Sequence, residues 1–220
     1  MKREYGQHCW LAKALDVVGS RWTLLVIREL IPGPRRFKDL LAGLPGIGTN
    51  LLSERLRQLE AEGLVERRTL PPPAGSTVYE LTALGRGLEA ALFELARWGR
   101  SRVGSPDEGD VFSPRWVLLA MRAEHDSEAA RGLDESYEFR IGDEIFHVRV
   151  EDGEVQLLDG PADRPDLVVS ADADTFVTAS ADARTFDDAV SDGRIAVEGD
   201  REASMHCRAI FAPALAAVPS

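Results

Sequence analysis

Residues 36–82 constrain the possible folds of this chain more than any other stretch. Phe37, Leu40, Leu41 and Leu44 follow a helical period, Pro45-Gly46-Ile47-Gly48 interrupts it, and Thr49 opens a second periodic run ending near Glu60. Two short helices joined by a Gly-bearing turn make a helix-turn-helix. In the second helix Leu52, Leu56 and Leu59 stand at i, i+4 and i+7 and must face a core. That turns Asn50, Glu54 and Arg57 outward, with Ser53 and Gln58 on the flanks. These are side chains of the kinds that hydrogen-bond base edges in a DNA groove.

The next run, 63–68, reads as a strand, and Thr77-Val78-Tyr79-Glu80-Leu81 reads as its return partner. Pro71-Pro72-Pro73-Ala74-Gly75-Ser76 between them cannot lie inside a sheet, because three prolines remove three ladder donors. The segment is therefore predicted to be the tip of a two-stranded wing, which makes duplex DNA the expected partner. Thr49, Asn50, Ser53, Glu54 and Arg57 are expected to face the groove. Arg35, Arg36, Lys38, Arg55, Arg67, Arg68, Ser76 and Thr77 are expected to supply phosphate contacts or local bracing. Arg55 stands beside the core-facing stripe, so an internal salt bridge is the alternative reading for it.

At this point the chain resembles a known family. His8-Cys9-Trp10, the run 15–30, Arg35-Arg36-Phe37, Leu40, Pro45-Gly46-Ile47, the run 51–56, Leu59-Glu60, Gly63-Leu64-Val65 and Tyr79-Glu80-Leu81-Thr82 together look like the HxlR-type winged-helix transcriptional regulators. The resemblance covers about the first hundred residues and implies a dimeric bacterial DNA-binding protein. Family members usually carry Pro directly after the N-terminal Cys, where this chain has Trp10. Some sense oxidants or electrophiles through a cysteine at the position of Cys9, and Lys2, Arg3, His8 and Lys13 are the neighbours that would favour a thiolate there. A packing role at a dimer interface is the alternative for Cys9.

Charge divides the molecule in two. Residues 1–104 hold 16 Lys and Arg against 11 Asp and Glu, a net of +5; residues 105–220 hold 10 against 26, a net of −16, giving −11 overall. Screening over about 8 Å at physiological salt lets a basic half act locally on a polyanion. No apolar run approaches the roughly 18 residues of a membrane span and the N-terminus is not of the signal type, so a cytoplasmic protein is expected. Two widely separated cysteines fit a reduced compartment.

A long helix is predicted from Thr82, with Leu84, Leu88, Ala91, Leu95 and Trp98 spaced as a coiled-coil seam. Such a stripe, together with Leu11, Ala14, Leu15 and Val18 of an N-terminal helix, is expected to form a homodimer interface. A dimer would set two recognition helices about 34 Å apart and call for a pseudo-palindromic operator.

The second half reads as an α+β domain. A helix is expected from Phe112 to His125. Strands follow around Tyr137-Phe139-Ile141, Phe146-Val148-Val150, 155–158 and 167–170, then helical segments at 174–181 and 186–191, a strand at 194–200 and a closing helix at 201–211. Pro165-Asp166-Leu167-Val168-Val169-Ser170, Phe176-Val177, the run 186–190, the run 192–200 and Phe211 are similar to the sterol carrier protein 2 (SCP2-like) domain. That resemblance implies a sheet covered by helices over an apolar tunnel, with Trp116, Leu119, Phe139, Phe146, Phe176, Phe186, Val190, Met205 and Phe211 as expected wall residues. The expected organisation is a winged helix-turn-helix domain over 1–104, a linker over 105–111 and an SCP2-like ligand-binding domain over 112–220.

Catalytic motifs are missing from the sequence. His8, His125, His147 and His206 lie in separate segments without metal-ligand spacing, and neither a P-loop nor a dinucleotide fingerprint occurs. Neither cofactor, metal nor enzymatic activity is therefore expected. The expected function is that of a one-component DNA-binding regulator modulated by a small apolar ligand. The alternatives are a carrier of an apolar metabolite whose DNA binding is secondary, and a redox-sensing regulator using Cys9 with a structural second domain.

Overall fold

The computed structural model describes residues 4–71, 75–100, 102, 111, 113–180 and 183–214. The expected linker 105–111 apart from Val111, the wing-tip residues Pro72, Pro73 and Ala74, and Phe112 at the start of an expected helix lie outside the described residues. The chain divides into two compact units, Met1–Leu92 and Phe93–Ser220.

The first unit is built on α1 (Trp10–Val18), α2 (Thr23–Leu30), α3 (Phe37–Ala42) and α4 (Thr49–Ala61), followed by β1 (Val65–Thr69) and β2 (Thr77–Leu81). Its core gathers Val26, Ile27 and Leu30 from α2, Leu40 from α3, and Leu52, Leu56 and Leu59 from α4, with Leu64, Val65, Val78 and Leu81 closing it from the hairpin. The i, i+4, i+7 leucines of α4 are thus its inner face, as the period requires. β1 and β2 pair antiparallel with Val65 opposite Leu81 and Thr69 opposite Thr77. Arg35 adds a third, one-residue strand, its N–H donating to Tyr79 O at 2.9 Å and its carbonyl accepting from Tyr79 N at 2.8 Å. The sequence gives no alternation around Arg35 to announce that strand.

The single long helix expected from Thr82 is broken in two, α5 (Ala83–Arg86) and α6 (Glu89–Arg100), with Gly87 and Leu88 between them. The cause lies in tertiary contact. Thr82 caps α5, its hydroxyl accepting from Gly85 N and donating to Gly63 O at 2.6 Å. Gly85 presses its backbone so tightly on the Leu64 carbonyl that a Cβ would lie 2.1 Å from the oxygen. That close approach seats the first turn on the hairpin, and the helix restarts at Glu89 after Gly87 and Leu88.

The second unit contains a five-stranded sheet in the order β5-β4-β3-β6-β7: β3 (Asp134–Ile141), β4 (Glu144–Glu151), β5 (Glu154–Asp159), β6 (Leu167–Ala171) and β7 (Ala196–Gly199). β3, β4 and β5 form an antiparallel meander, β6 runs parallel to β3, and β7 returns antiparallel to β6. Asp152 and Gly153 both take positive φ in the β4–β5 turn, which suits the right-handed twist of a tight hairpin. Alternate residues Tyr137, Phe139 and Ile141, Phe146, Val148 and Val150, Val155 and Leu157, and Leu167 and Val169 are buried on the sheet. α7 (Pro114–Ala123), α8 (Ala173–Ala179), α9 (Ala183–Ser191) and α10 (Arg201–Phe211) complete the unit. Glu138, of opposite parity, is buried too: its carboxylate accepts from Ala162 N at 2.8 Å and from Arg140 Nε at 2.6 Å, which ties down the β5–β6 connection.

Candidate DNA interface and apolar cavity

On α4, Thr49, Asn50, Glu54, Arg57 and Gln58 are exposed and Ser53 is half-buried. These side chains project from a helix whose opposite face is locked in the core, so their positions are set by a rigid support. Glu54 and Gln58 are tied to each other and to the Arg55 guanidinium, and Arg57 Nε donates to the Ser53 carbonyl. Arg55 is the bracing residue of the set. Its side chain is 13% exposed, and its Nε donates to Arg21 O at 3.1 Å, joining α4 to the turn before α2.

Arg35 is likewise turned inward and does not stand free as a phosphate contact. Glu29, buried at the end of α2, accepts from Arg28 Nη2 at 2.8 Å and from Arg35 Nη1 at 3.3 Å, while Arg35 Nη2 donates to Asp39 O. A buried carboxylate held between two guanidiniums fixes the short third strand against α2 and α3. Arg36 is half-buried directly before α3, and Lys38 is exposed. On the wing, Arg67 and Thr77 are exposed and Ser76 is half-buried. Arg68, also exposed, is paired with Glu80 at 2.8 Å. Of the expected contact cations, Lys38, Arg57, Arg67 and Arg68 are thus exposed, with Arg68 partly neutralised by Glu80.

The helices expected to meet a second copy carry large apolar groups on their surfaces. Trp10 is 93% exposed, with Leu11 and Leu15 beside it on α1, while Leu84 is 65% and Trp98 64% exposed. Leu95 and Ala91 are exposed and Leu88 is half-buried. Cys9 is a free, exposed thiol directly before α1, with its backbone extended.

The second unit contains a partly open cavity of about 120 Å³. Phe139, Phe176, Phe186, Val190 and Phe211, expected from the sequence, border it, together with Met121, Leu167, Val169 and Val197. Four of the expected wall residues do not. Met205 is 62% exposed, because the inner stripe of α10 runs through Ala203, Ser204, Cys207 and Phe211, and residue 205 falls off it by about 100° per step. Phe146 is buried beneath Arg115, whose guanidinium lies 5.9 Å from its ring centre and pairs with Asp159 at 2.6 Å. Trp116 and Leu119 belong to the same helix, α7, and its contribution to the cavity is Met121 instead.

A polar cluster at β3 and α10 had no signal in the sequence, because its members are 71 residues apart. Glu135 accepts from the Tyr137 hydroxyl at 2.5 Å and meets His206 Nδ1 at 2.7 Å. Burial, and then the hydrogen bond to Glu135, push the Tyr137 phenol far above its usual range. Burial followed by the Glu135 charge pushes the Cys207 thiol up to about 12. Cys207 therefore borders the cavity as a neutral thiol at physiological pH, a poor nucleophile. Among the described residues no group of three or more His, Cys, Asp or Glu is placed to hold a metal ion, and no helix is long and apolar enough to cross a membrane.

Residues 17–106 match the HxlR-like helix-turn-helix family. The uncharacterized HTH-type transcriptional regulator YvaP of Bacillus subtilis is 38% identical over 86 residues, 39% of this chain and 80% of that protein. The HTH-type transcriptional regulator YodB of the same species is 38% identical over 88 residues, 40% of this chain and 79% of that one. This chain belongs to the HxlR-like helix-turn-helix family. It is accordingly a DNA-binding transcriptional regulator. Among solved structures, the redox regulator HypR in its oxidized form shares 32% identity over 44% of this chain and 99% of its own, with a TM-score of 0.41. Residues 111–214 match a different family, described as alkyl sulfatase C-terminal.

Proposed function

We propose that two copies of this regulator bind a pseudo-palindromic operator in the cytoplasm, each laying α4 in the major groove and its wing against the flanking backbone. The observation that carries this reading is the pairing of two surfaces. The outward residues of α4 are polar and groove-compatible, whereas α1, α5 and α6 expose tryptophans and leucines that a solvated surface does not favour. A second copy covering those apolar groups would fix the spacing of the two recognition helices. In this reading Asn50, Ser53, Glu54 and Arg57 read bases, Lys38, Arg67 and Arg68 hold phosphates, and Arg35 and Arg55 hold the module rigid. Footprinting on a selected binding site tests it. Protection of two half-sites with centres one helical turn apart, about 34–36 Å, is expected, and protection of one isolated half-site contradicts it.

The second unit, in the same proposal, is an SCP2-like effector domain. An apolar cavity walled by aromatic side chains and reached by a few polar groups supports ligand binding. A ligand alters operator affinity only by binding the DNA-competent and incompetent states unequally. Titration that fills the cavity and leaves operator affinity unchanged removes this step. At about 120 Å³ the cavity falls well below the roughly 300–1,000 Å³ of sites that enclose drug-sized molecules, which disfavours a carrier of sterol-sized cargo. A thiol switch at Cys9 is the second reading, favoured by the exposure of that sulfur beside α1. Equal response of the Cys9→Ser protein and the parent to diamide in an operator-binding assay excludes it.

A further inference from the structure

The shape and edges of the cavity define a narrower class of ligand, an inference that rests on the reading of the second unit as a ligand-binding domain. Its floor is Phe139, Leu167 and Val169 of the sheet, and α8 and α9 contribute Phe176, Phe186 and Val190. At about 120 Å³ it is close to the roughly 150 Å³ apolar cavity known to accept benzene. One ring or a short alkyl group fills it, and a long acyl chain exceeds it.

The polar groups at its border are mostly donors. Ser204 brings a hydroxyl, Cys207 a protonated thiol and Arg208 a guanidinium, while Ser180 already gives its hydrogen to Phe176 O at 2.7 Å. Arg208 is also half of a two-pronged tie between helices: its Nη1 and Nη2 meet Oδ1 and Oδ2 of Asp187, the second contact at 2.5 Å. Asp187 is on α9, which buries only Ala189 fully and leaves Phe186 and Val190 half-buried. Arg208 borders the cavity and Asp187 does not, while the pair they form lies at the solvent-exposed rim, with 57% of the Arg208 side chain and 40% of the Asp187 side chain accessible.

We propose that the cavity takes a small amphiphile with a compact apolar body and an anionic oxygen head, a carboxylate or sulfate monoester, whose head pairs with Arg208 in place of Asp187. A neutral head gains less than an anion by separating the Arg208–Asp187 pair, because it trades a charge-assisted contact for a weaker one. A cationic head would meet the guanidinium at the border. An anion exchanges one planar two-oxygen contact for another, so apolar burial is left to drive binding and α9 is released from α10.

Calorimetric titration of the full-length protein with benzoate, hexanoate, hexyl sulfate, dodecanoate and benzyl alcohol tests this. Benzoate is expected to bind about tenfold or more tightly than benzyl alcohol. Arg208→Gln should erase that preference, and Asp187→Asn should strengthen benzoate binding by removing the competing carboxylate. Hexanoate against hexyl sulfate tells which head is preferred. Of the three methionines, the Met121 methyl resonance should shift on binding while that of exposed Met205 stays in place. Equal affinity for benzyl alcohol, or an Arg208→Gln protein that keeps its preference, overturns the anionic head but leaves an apolar ligand domain standing. Dodecanoate binding more tightly than hexanoate overturns the size limit. No heat and no Met121 shift with any probe overturns both the proposal and the ligand-binding reading beneath it.

Discussion

The two parts of this chain handle large apolar side chains in opposite ways. In the sheet domain Tyr137, Phe139, Phe146, Phe176 and Phe211 are all essentially inaccessible, and two edge-to-face contacts, Tyr137 on Phe211 and Phe139 on Phe176, bind strands to helices. The helices α1 and α5 of the winged module, and α6, which runs from the first unit into the second, instead present Trp10, Leu11, Leu84, Leu95 and Trp98 at their surfaces. Burial of a Leu or Phe side chain contributes about 1.5–3 kcal/mol relative to exposure, so a surface with five such groups outside forgoes an appreciable stabilisation. The sheet domain completes its own core. The helical surfaces of the DNA-binding part leave such groups outside, and in the proposed dimer a second copy covers them.

That comparison breaks first at the sheet. Phe139→Ala removes a ring that packs on Phe176 and borders the cavity, and should cost about 3–5 kcal/mol in denaturant unfolding of the second unit. Operator binding by the winged module should persist; its loss would show that the sheet is not self-sufficient. Leu84→Asp probes the opposite case. Away from a core it should change the stability of the isolated subunit by no more than about 0.5 kcal/mol, yet sedimentation should show dissociation of the dimer. Unfolding instead of dissociation would mean that Leu84 serves its own subunit.

Smaller effects sharpen the account. Arg57→Ala should cost about 1–3 kcal/mol at one operator base pair if Arg57 reads a guanine, whereas Arg67→Ala should weaken all sequences alike and lower the salt slope by about 1. A selection experiment on randomised operators separates the two. Smallest is the alkaline response of the second unit. The Cys207 thiol is raised in the folded state from an ordinary value of 9.0 to about 12, so the folded state holds its proton where the unfolded chain has lost it. Its contribution is fully present below about pH 9 and declines as pH rises toward 12. Cys207→Ser should flatten part of that decline in thermal unfolding, the rest belonging to the similarly raised Tyr137.

Much of the fold was legible because local chemistry and tertiary packing agree. The helix expected to run through Leu44 to Pro45-Gly46 ends earlier, at Ala42 with Gly43 as its cap, but the leucines of α4 named its inner face, and alternation at 137–141 and 146–150 marked two strands and their shared buried side. Where a long-range contact decides, the sequence was silent or misleading. The seam from Leu84 to Trp98 keeps an unbroken heptad period, yet the Leu64 carbonyl under Gly85 splits the helix. The parallel β3–β6 pair and the Arg35–Tyr79 bridge follow from pairing across many residues. At the sites, residue type identified the outward face of α4 but could not tell that Arg35 would be spent on Glu29. Of the nine residues expected to wall the cavity, five border it, four of them phenylalanines; which face of α7 and α10 turned inward placed Met121 inside and Met205 outside.

The central claim, that the exposed helices of the DNA-binding part are covered by a second copy while the sheet domain stands alone, is tested most directly by native mass spectrometry of the full-length protein at micromolar concentration. The account predicts a species near twice 24.1 kDa that reverts to the single mass on Leu84→Asp. A parent protein found at 24.1 kDa alone would contradict it.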